Sequence, residues 1–284
     1  APVRSIGPVL TSIIYVVKIG RWLDRELLMT YPETVVMVPT YNEADTLDEL
    51  ITQLLALPVN LGVIIVDDNS PDGTGKKADR WSEREPDRVF VVHRPGKLGL
   101  GTAYISGFRL ALDKLNARRI MTMDADFSHN PRYIPSMIKL SEQADVVIGS
   151  RYVEGGGSLN CTWKRIWLSK IANFVARGLL GLHARDATAG FRLYHHHVLE
   201  SIPLEQIFSI GYSFLVEMLF MCQRREWQIG EVPIIFEDHR KGTTKISRNE
   251  VIKAQYTVFR LLARRLLTNP RPTPIDIPSS HEGS

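Results

Sequence analysis

Short apolar runs recur through the first half of the chain, and each ends at a polar turn that opens a stretch of helical period. Thr34–Val38 is rich in β-formers and stops at Pro39; Asn42-Glu43-Ala44-Asp45-Thr46 then caps a helix reaching Leu57. Val63–Val66 ends in the acidic turn Asp67-Asp68-Asn69-Ser70-Pro71-Asp72-Gly73-Thr74, followed by a helix over Lys76–Glu85. Val89–Val92 leads through a glycine-containing loop into a helix over Thr102–Leu115. A fourth buried strand begins at Ile120 and runs into Asp124-Ala125-Asp126, and Ala144–Gly149 is a further strand. Repeated β-loop-α units predict an α/β fold, with a mostly parallel central sheet and helices on both faces. Ligands of such sheets bind at the carboxyl ends of the strands, where all these polar loops fall.

That placement gives the carboxylates chemical meaning. Read as extended chain, Asp124 and Asp126 point to one side with Ala125 between them, and together they can hold one hard cation, Mg²⁺ or Mn²⁺. Two protein ligands leave positions open for the oxygens of a diphosphate. Asn42-Glu43 and Asp67-Asp68, on the same rim, are placed to accept hydrogen bonds from a base and a ribose. The three loops together have the layout of a nucleotide-sugar site. Gly96-x-x-Gly99-x-Gly101 lacks the Gly-Lys-Ser/Thr ending of a P-loop, so a conformational role is the expectation, with Lys97 a candidate donor contact.

Composition adds bounds. The 284 residues, 44% hydrophobic and 23% charged, suffice for one large domain with extra elements. A net charge of +4 and a pI near 9.0 suggest an anionic partner. No nucleic acid is expected, because the basic residues are dispersed and no recognition motif occurs. Cys161 and Cys222 have no metal-ligand spacing, so a reducing compartment is the default.

Val38-Pro39-Thr40-Tyr41-Asn42-Glu43, Val66 to Thr74, Gly96 to Tyr104 and Met123 to His129 resemble the successive motifs of the dolichol-phosphate (polyprenol-phosphate) mannose synthases, inverting glycosyltransferases of the GT-A fold. The resemblance continues through Gly149-Ser150-Arg151-Tyr152, Asp186 to Arg192, Gly211-Tyr212-Ser213-Phe214 and Glu231-Val232-Pro233-Ile234. It implies a GT-A, Rossmann-like domain over 33–248 that transfers mannose from GDP-mannose to dolichyl or polyprenyl phosphate. It also implies that Pro39, Tyr41, Glu43, Asp67 and Asp68 cradle the nucleoside. Asp124 and Asp126, with Ser128 as a third ligand, would hold the metal and diphosphate, with Arg151 beside the donor. Arg165 matches an arginine associated with the acceptor phosphate, and Arg240 and Lys245 match basic residues of a mobile loop that closes over the phosphates, so that all three would bind the acceptor and, with Asp126 and Arg151, make up the catalytic set; Thr244 stands where the family usually has Ser. A small membrane accessory subunit is a further partner the resemblance allows. The alternatives are a transferase using a UDP-sugar, such as a polyprenyl-phosphate glucosyltransferase, and an inactive nucleotide-sugar-binding subunit.

Outside the motifs, Glu217 reads as a helper base or, preferably, an ion-pair partner for a loop cation. His195-His196-His197 cannot converge on one ion if helical. The apolar stretch within residues 1–32 is shorter than the roughly 20 residues a membrane span needs, and reads as an interfacial or packing helix. Over Glu250–Leu267, within an amphipathic segment 249–268, Val251, Val258, Leu262 and Leu266 form a stripe and Lys253, Arg260 and Arg264 lie on another face. The favoured reading is contact with an anionic bilayer, and the other is docking on the catalytic domain. Residues 269–284 read as a disordered tail. The expected location is peripheral, on the cytoplasmic side of a membrane.

Overall fold

The side chains of β1 (Thr34–Thr40) alternate between two cores: Val35 and Met37 enter one apolar cluster, Val36 and Val38 the other. The same division holds for β2 (Leu61–Asp67), where Ile64 and Val66 face one way and Val63 and Ile65 the other. Strands buried on both faces are what a parallel sheet between helical layers requires. This is the arrangement in the computed structural model, which describes residues 31–209, 211, 213–238 and 248–267.

With β3 (Val89–His93), β4 (Arg119–Thr122), β5 (Val146–Ser150), β7 (Arg192–His195) and β8 (Ile229–Pro233), these strands form a seven-stranded sheet of order β3-β2-β1-β4-β7-β5-β8. Only β7 runs antiparallel to its neighbours. Helices α1 (Leu47–Leu55), α2 (Thr74–Arg84) and α4 (Ile134–Leu140) cover one face; α3 (Leu100–Asp113), α6 (His196–Ser201) and α7 (Ser213–Arg224) cover the other. Predicted elements start or end within two residues of those observed.

Strand order reverses between β1 and β4, and a crevice opens above such a point. Because β7 is antiparallel, Arg192 at its start lies opposite Thr122 at the end of β4. The loop that precedes β7 therefore joins the same rim. Its anchor is Arg192, fully buried, whose guanidinium donates to the carbonyls of Ala187, Ala189 and Leu215 at 2.7–2.8 Å.

Two short strands, β6 (Gly157–Leu159) and β9 (Ile235–Glu237), pair in parallel beside the sheet. After β6 comes α5 (Trp163–Leu180), packed against α7 and α8 (Arg248–Leu267). Here the bilayer reading of the C-terminal stripe is corrected at Val258 and Leu262, while Leu266 stays 77% exposed. Leu261 and Thr257 are buried, and Val258 and Leu262 pack on the cluster holding Ala176, Leu180, Leu219 and Phe220. That part of the stripe is a seam with the domain, because an apolar row facing two helices is removed from water by them first. The segment assigned to an N-terminal helix lies outside the described residues up to Tyr31, as does the tail 269–284.

Candidate active site

Pairing of β1 with β2 sets Thr40 opposite Asp67, and the two loops beyond are laced together. The Asn42 N–H donates to Ser70 Oγ at 3.0 Å, the Glu43 N–H to Thr74 Oγ1 at 2.9 Å and the Ala44 N–H to Asp72 Oδ2 at 3.0 Å. Asn42 has φ of 62°, a conformation asparagine tolerates, which turns the chain over this lacing. Thr46 makes no side-chain cap on α1; its hydroxyl donates instead to Glu43. Asp67 is buried and takes hydrogen bonds from Thr40 Oγ1, Ser70 Oγ and Ser70 N.

Asp68 is buried beside it, and Arg94, also buried, donates Nη1 to Asp68 Oδ1 at 2.6 Å and Nη2 to Thr102 Oγ1 at 2.5 Å. Burial pushes the Asp68 carboxyl up against the opposing charge of Arg94. Lys97 sits with Nζ 4.4 Å from the ring centroid of Tyr41, so the two candidate donor contacts form one cation-π pair at the rim. Pro39 is the penultimate residue of β1. The glycine loop is conformational at Gly99, with φ of 102°, and at Gly101, where a Cβ would lie 2.9 Å from the Phe214 ring.

The strand rule invoked for Asp124 and Asp126 does not apply, because β4 ends at Thr122. The pair is presented by a turn instead. Phe127 has φ of 60°, and Asp126 Oδ1 accepts from Ser128 N at 3.1 Å and Ser128 Oγ at 2.5 Å. Ser128 is buried and directs its hydroxyl proton to Asp126. Asp124 is held by His129, whose Nδ1 accepts the Asp124 N–H at 3.0 Å and lies 3.9 Å from Asp124 Oδ2. His129 is buried and stacked on Phe191, and burial lowers its pKa, so the imidazole is neutral with its proton on Nε2. The two carboxylates at the site offer hard oxygens only, a set that suits Mg²⁺ or Mn²⁺ with the diphosphate completing the shell. Among the described residues no cluster of three or more His, Cys, Asp or Glu adds further ligands.

Arg151 follows β5 and is gripped by Asp186: Nε to Oδ2 is 2.7 Å and Nη2 to Oδ1 is 2.8 Å. The Arg151 N–H also donates to Asp186, and Nη2 donates to Thr188 Oγ1 at 2.9 Å. Burial alone would push the Asp186 carboxyl up, yet the Arg151 contacts outweigh it and hold the pKa low. Arg165, in the first turn of α5, pairs through Nη1 with Asp238. Arg240 and Lys245 lie outside the described residues.

Residues 35–202 match the family described as Glycosyl transferase family 2. The chain belongs to this family. It is 39% identical over 240 residues to the polyprenol monophosphomannose synthase of Mycolicibacterium smegmatis, spanning 84% of this chain and 90% of that protein. It is 40% identical over 226 residues to the undecaprenyl-phosphate mannosyltransferase of Micrococcus luteus, spanning 80% and 92%. Glucosyl-3-phosphoglycerate synthase from Mycobacterium tuberculosis, solved with Mn²⁺, UDP and glucosyl-3-phosphoglycerate, superposes with a TM-score of 0.57 at 19% identity, over 83% of this chain and 81% of that one. A mannosyltransferase from Pyrobaculum calidifontis, solved with GDP-mannose and Mn²⁺, gives 0.54 at 16% identity, over 86% and 66%. At such identities these two bear on the fold alone, which is GT-A.

Within this family 2 glycosyltransferase, sequence reading passed over Arg94, His129, Asp186 and Arg192 as functional parts, although all four stand in or beside its quoted motifs. Each acts on a rim residue or a rim loop. The loop cations with which Glu217 was expected to pair lie outside the described residues, and among the described residues Glu217 makes no ion pair. It is fully buried, and its Oε2 accepts the Ser209 N–H at 3.1 Å, shaping the loop before α7. The three histidines of 195–197 go to separate partners, Ser141 O, Ala117 O with Glu200, and Asp145.

Proposed function

We propose that this transferase moves mannose from GDP-mannose to a polyprenyl phosphate, with inversion, while seated on the anionic cytoplasmic leaflet of a membrane. One observation carries the membrane seat. Helix α5 presents Arg165 toward Asp238 and, on another face, turns Trp163, Trp167 and Phe174 outward at 67%, 60% and 78% exposure. Residues at i, i+4 and i+11 share one side of a helix. Tyr256 and Phe259 of α8 are also exposed, and Lys164, Lys170, Arg264 and Arg265 add positive charge on the same two helices. Large aromatics with basic neighbours suit the headgroup region of an anionic bilayer. Arg165 lies in the same first turns of α5, about 3 Å along the axis from each tryptophan but on the opposite side, so the aromatic face and the candidate phosphate contact belong to one end of one helix. The names of the two relatives, at about 40% identity over most of the chain, support the same acceptor class.

A phosphate monoester is largely ionised near neutral pH, its second pKa being about 6, so it needs no strong base. One of its oxygens bonds to the anomeric carbon as the bond from that carbon to the diphosphate breaks, and the electron pair leaves with GDP. Asp67, Asp68, Tyr41 and Glu43 would orient the nucleoside, and Asp124 and Asp126 would hold the divalent cation that neutralises the leaving diphosphate. Asp186 keeps Arg151 fixed at the rim. The test is a donor panel of GDP-mannose, UDP-glucose and UDP-N-acetylglucosamine against a short polyprenyl phosphate with Mg²⁺ or Mn²⁺. Transfer from GDP-mannose is expected. Transfer only from a uridine donor would overturn the sugar and base, and metal-dependent binding with no transfer or hydrolysis would point to an inactive subunit.

A further inference from the structure

Arg151 and Arg165 each meet an aspartate, but the two pairs are built differently. Asp186 uses both oxygens on Arg151, is completely buried and takes the Arg151 main-chain N–H as well. Losing such a pair costs on the order of a hundredfold to a thousandfold in an equilibrium constant, so it does not open for a substrate. Asp238 meets Arg165 through one oxygen, Oδ2, with the arginine side chain 36% exposed and the aspartate side chain 11% exposed. Its other oxygen, Oδ1, is buried and has no hydrogen-bond partner among the described residues. Water reaches this pair from the arginine side, and a single-oxygen contact open to water is far weaker than the buried two-oxygen pair, on the order of fivefold.

The place of this weak pair is set by topology. Parallel pairing of β6 with β9 puts Leu159 opposite Glu237, and the Asp238 N–H donates to Leu159 O at 3.1 Å. That fixes Asp238 beside the first turn of α5, only a few residues past Leu159. The turn is short of negative charge. Thr162 gives no side-chain cap, no acidic residue occupies the first turn, and Lys164 and Arg165 add cations where the helix dipole is already positive. Asp238 is the carboxylate that answers this charge.

We infer that Asp238 is an exchangeable counter-anion that occupies Arg165 in place of the acceptor phosphate and yields it when the lipid arrives. This rests on the reading of Arg165 as an acceptor contact. A phosphate monoester carries a charge of about −1.5 to −2 near neutral pH and offers several oxygens to the guanidinium fork, so it displaces a carboxylate held by one oxygen. The product is a phosphodiester with a single charge, matched by the tethered carboxylate. Asp238 therefore retakes Arg165 after transfer and assists product departure.

Steady-state kinetics of the full chain with GDP-mannose, Mg²⁺ and a short polyprenyl phosphate test this with Asp238→Asn, Asp238→Ser, Arg165→Ala and the Arg165→Ala/Asp238→Asn pair. Both Asp238 variants are expected to lower KM for the lipid phosphate about two- to fivefold. Inhibition by added mannosyl-phosphoryl polyprenol should tighten by a similar factor. In the Arg165→Ala background the Asp238 change should have no further effect on KM. An unchanged or raised KM in both Asp238 variants, each folded by its melting curve, would overturn the inference and make Asp238 a group that positions Arg165 or a bystander. An unchanged KM in Arg165→Ala alone would instead remove Arg165 from the acceptor site, and the exchange with it.

Discussion

Arg151 and Asp186 are joined side by side, two guanidinium nitrogens on two carboxylate oxygens at 2.7 and 2.8 Å, in a region where Asp186 has no exposed surface. The pair ties the end of β5 to the loop before β7, and so closes one side of the rim. Asp186→Asn would leave Arg151 charged without its counter-ion, at a cost of about 3–5 kcal/mol. The carboxyl pKa is held below 3.8 in the fold, so its contribution is present above the unfolded pKa and is lost as pH falls through the folded one. Urea unfolding followed from about pH 6 to pH 2.5 should show the variant weaker at the top of the range and converging on the parent at the bottom. A constant difference throughout would mean that the charge is not what Asp186 supplies.

Arg94 stands in the same relation to Asp68 as Asp186 does to Arg151, one rim residue kept in its charge state by a buried partner. Burial already raises the Asp68 pKa, and Arg94 opposes that rise. Arg94→Met should let it climb further, so that kcat/KM for the donor falls as pH is lowered through a higher apparent pKa than in the parent, while KM for the lipid phosphate stays put. The pH profile of kcat/KM reports groups of the free enzyme and is the measurement to make.

Ser128 closes the turn that presents Asp126, giving both its N–H and its hydroxyl proton to Oδ1. Ser128→Ala removes the hydroxyl and loosens the carboxylate. Outer contacts of this kind are worth about 10- to 100-fold in metal affinity. Titration with Mn²⁺ followed by electron paramagnetic resonance should show a loss in that range, smaller than the loss from Asp126→Asn.

The parallel half of the fold is legible in the sequence because a strand buried on both faces reads as an unbroken apolar run, as Val63–Val66 does. The antiparallel β7 is not, since Arg192-Leu193-Tyr194-His195 has no such run and its arginine is satisfied by main-chain carbonyls that no motif encodes. The candidate donor side of the site was visible as acidic turns after strands. Its supports were harder to find: Arg94 and His129 are ordinary polar residues until folding sets them 2.6 Å from Asp68 and 3.0 Å from the Asp124 nitrogen. The outward aromatics of α5 were missed for a different reason. A stripe such as Trp163, Trp167 and Phe174 is read by default as a core face, and only the fold reveals that it points away from the core.

Glu217 is a buried carboxylate with Oε1 unpartnered among the described residues, and burial raises its pKa above 4.5. A raised carboxyl contributes stability below its unfolded pKa and loses it as pH rises through the folded one. Glu217→Gln should therefore stabilise the protein at neutral pH, by about 1–3 kcal/mol, because it removes a poorly solvated charge yet keeps an oxygen for the Ser209 N–H. The gain should vanish below about pH 4, where the parent is neutral as well. Melting temperatures at pH 4 and pH 7.5 separate this from a catalytic role, in which the variant would lose activity without gaining stability.

The membrane seat makes the last prediction, and it separates binding from chemistry. Trp167 and Phe174 stand in water at 60% and 78% exposure on a helix that carries neither Asp124 and Asp126 nor the nucleoside loops, so Trp167→Ser/Phe174→Ser should leave transfer to a water-soluble short acceptor intact. Burying an aromatic side chain is worth about 1.5–3 kcal/mol, and each 1.4 kcal/mol is a factor of about ten. Partial insertion of two such residues should therefore shift binding by at least about tenfold. Flotation with vesicles containing anionic lipid is the assay, and the parent should rise with them while the variant stays in the load fraction. Added salt should weaken the parent, since Lys164, Lys170, Arg264 and Arg265 act through a screened field. If parent and variant float alike, this face of α5 does not meet the bilayer; if neither floats, the transferase reaches its lipid acceptor by another route.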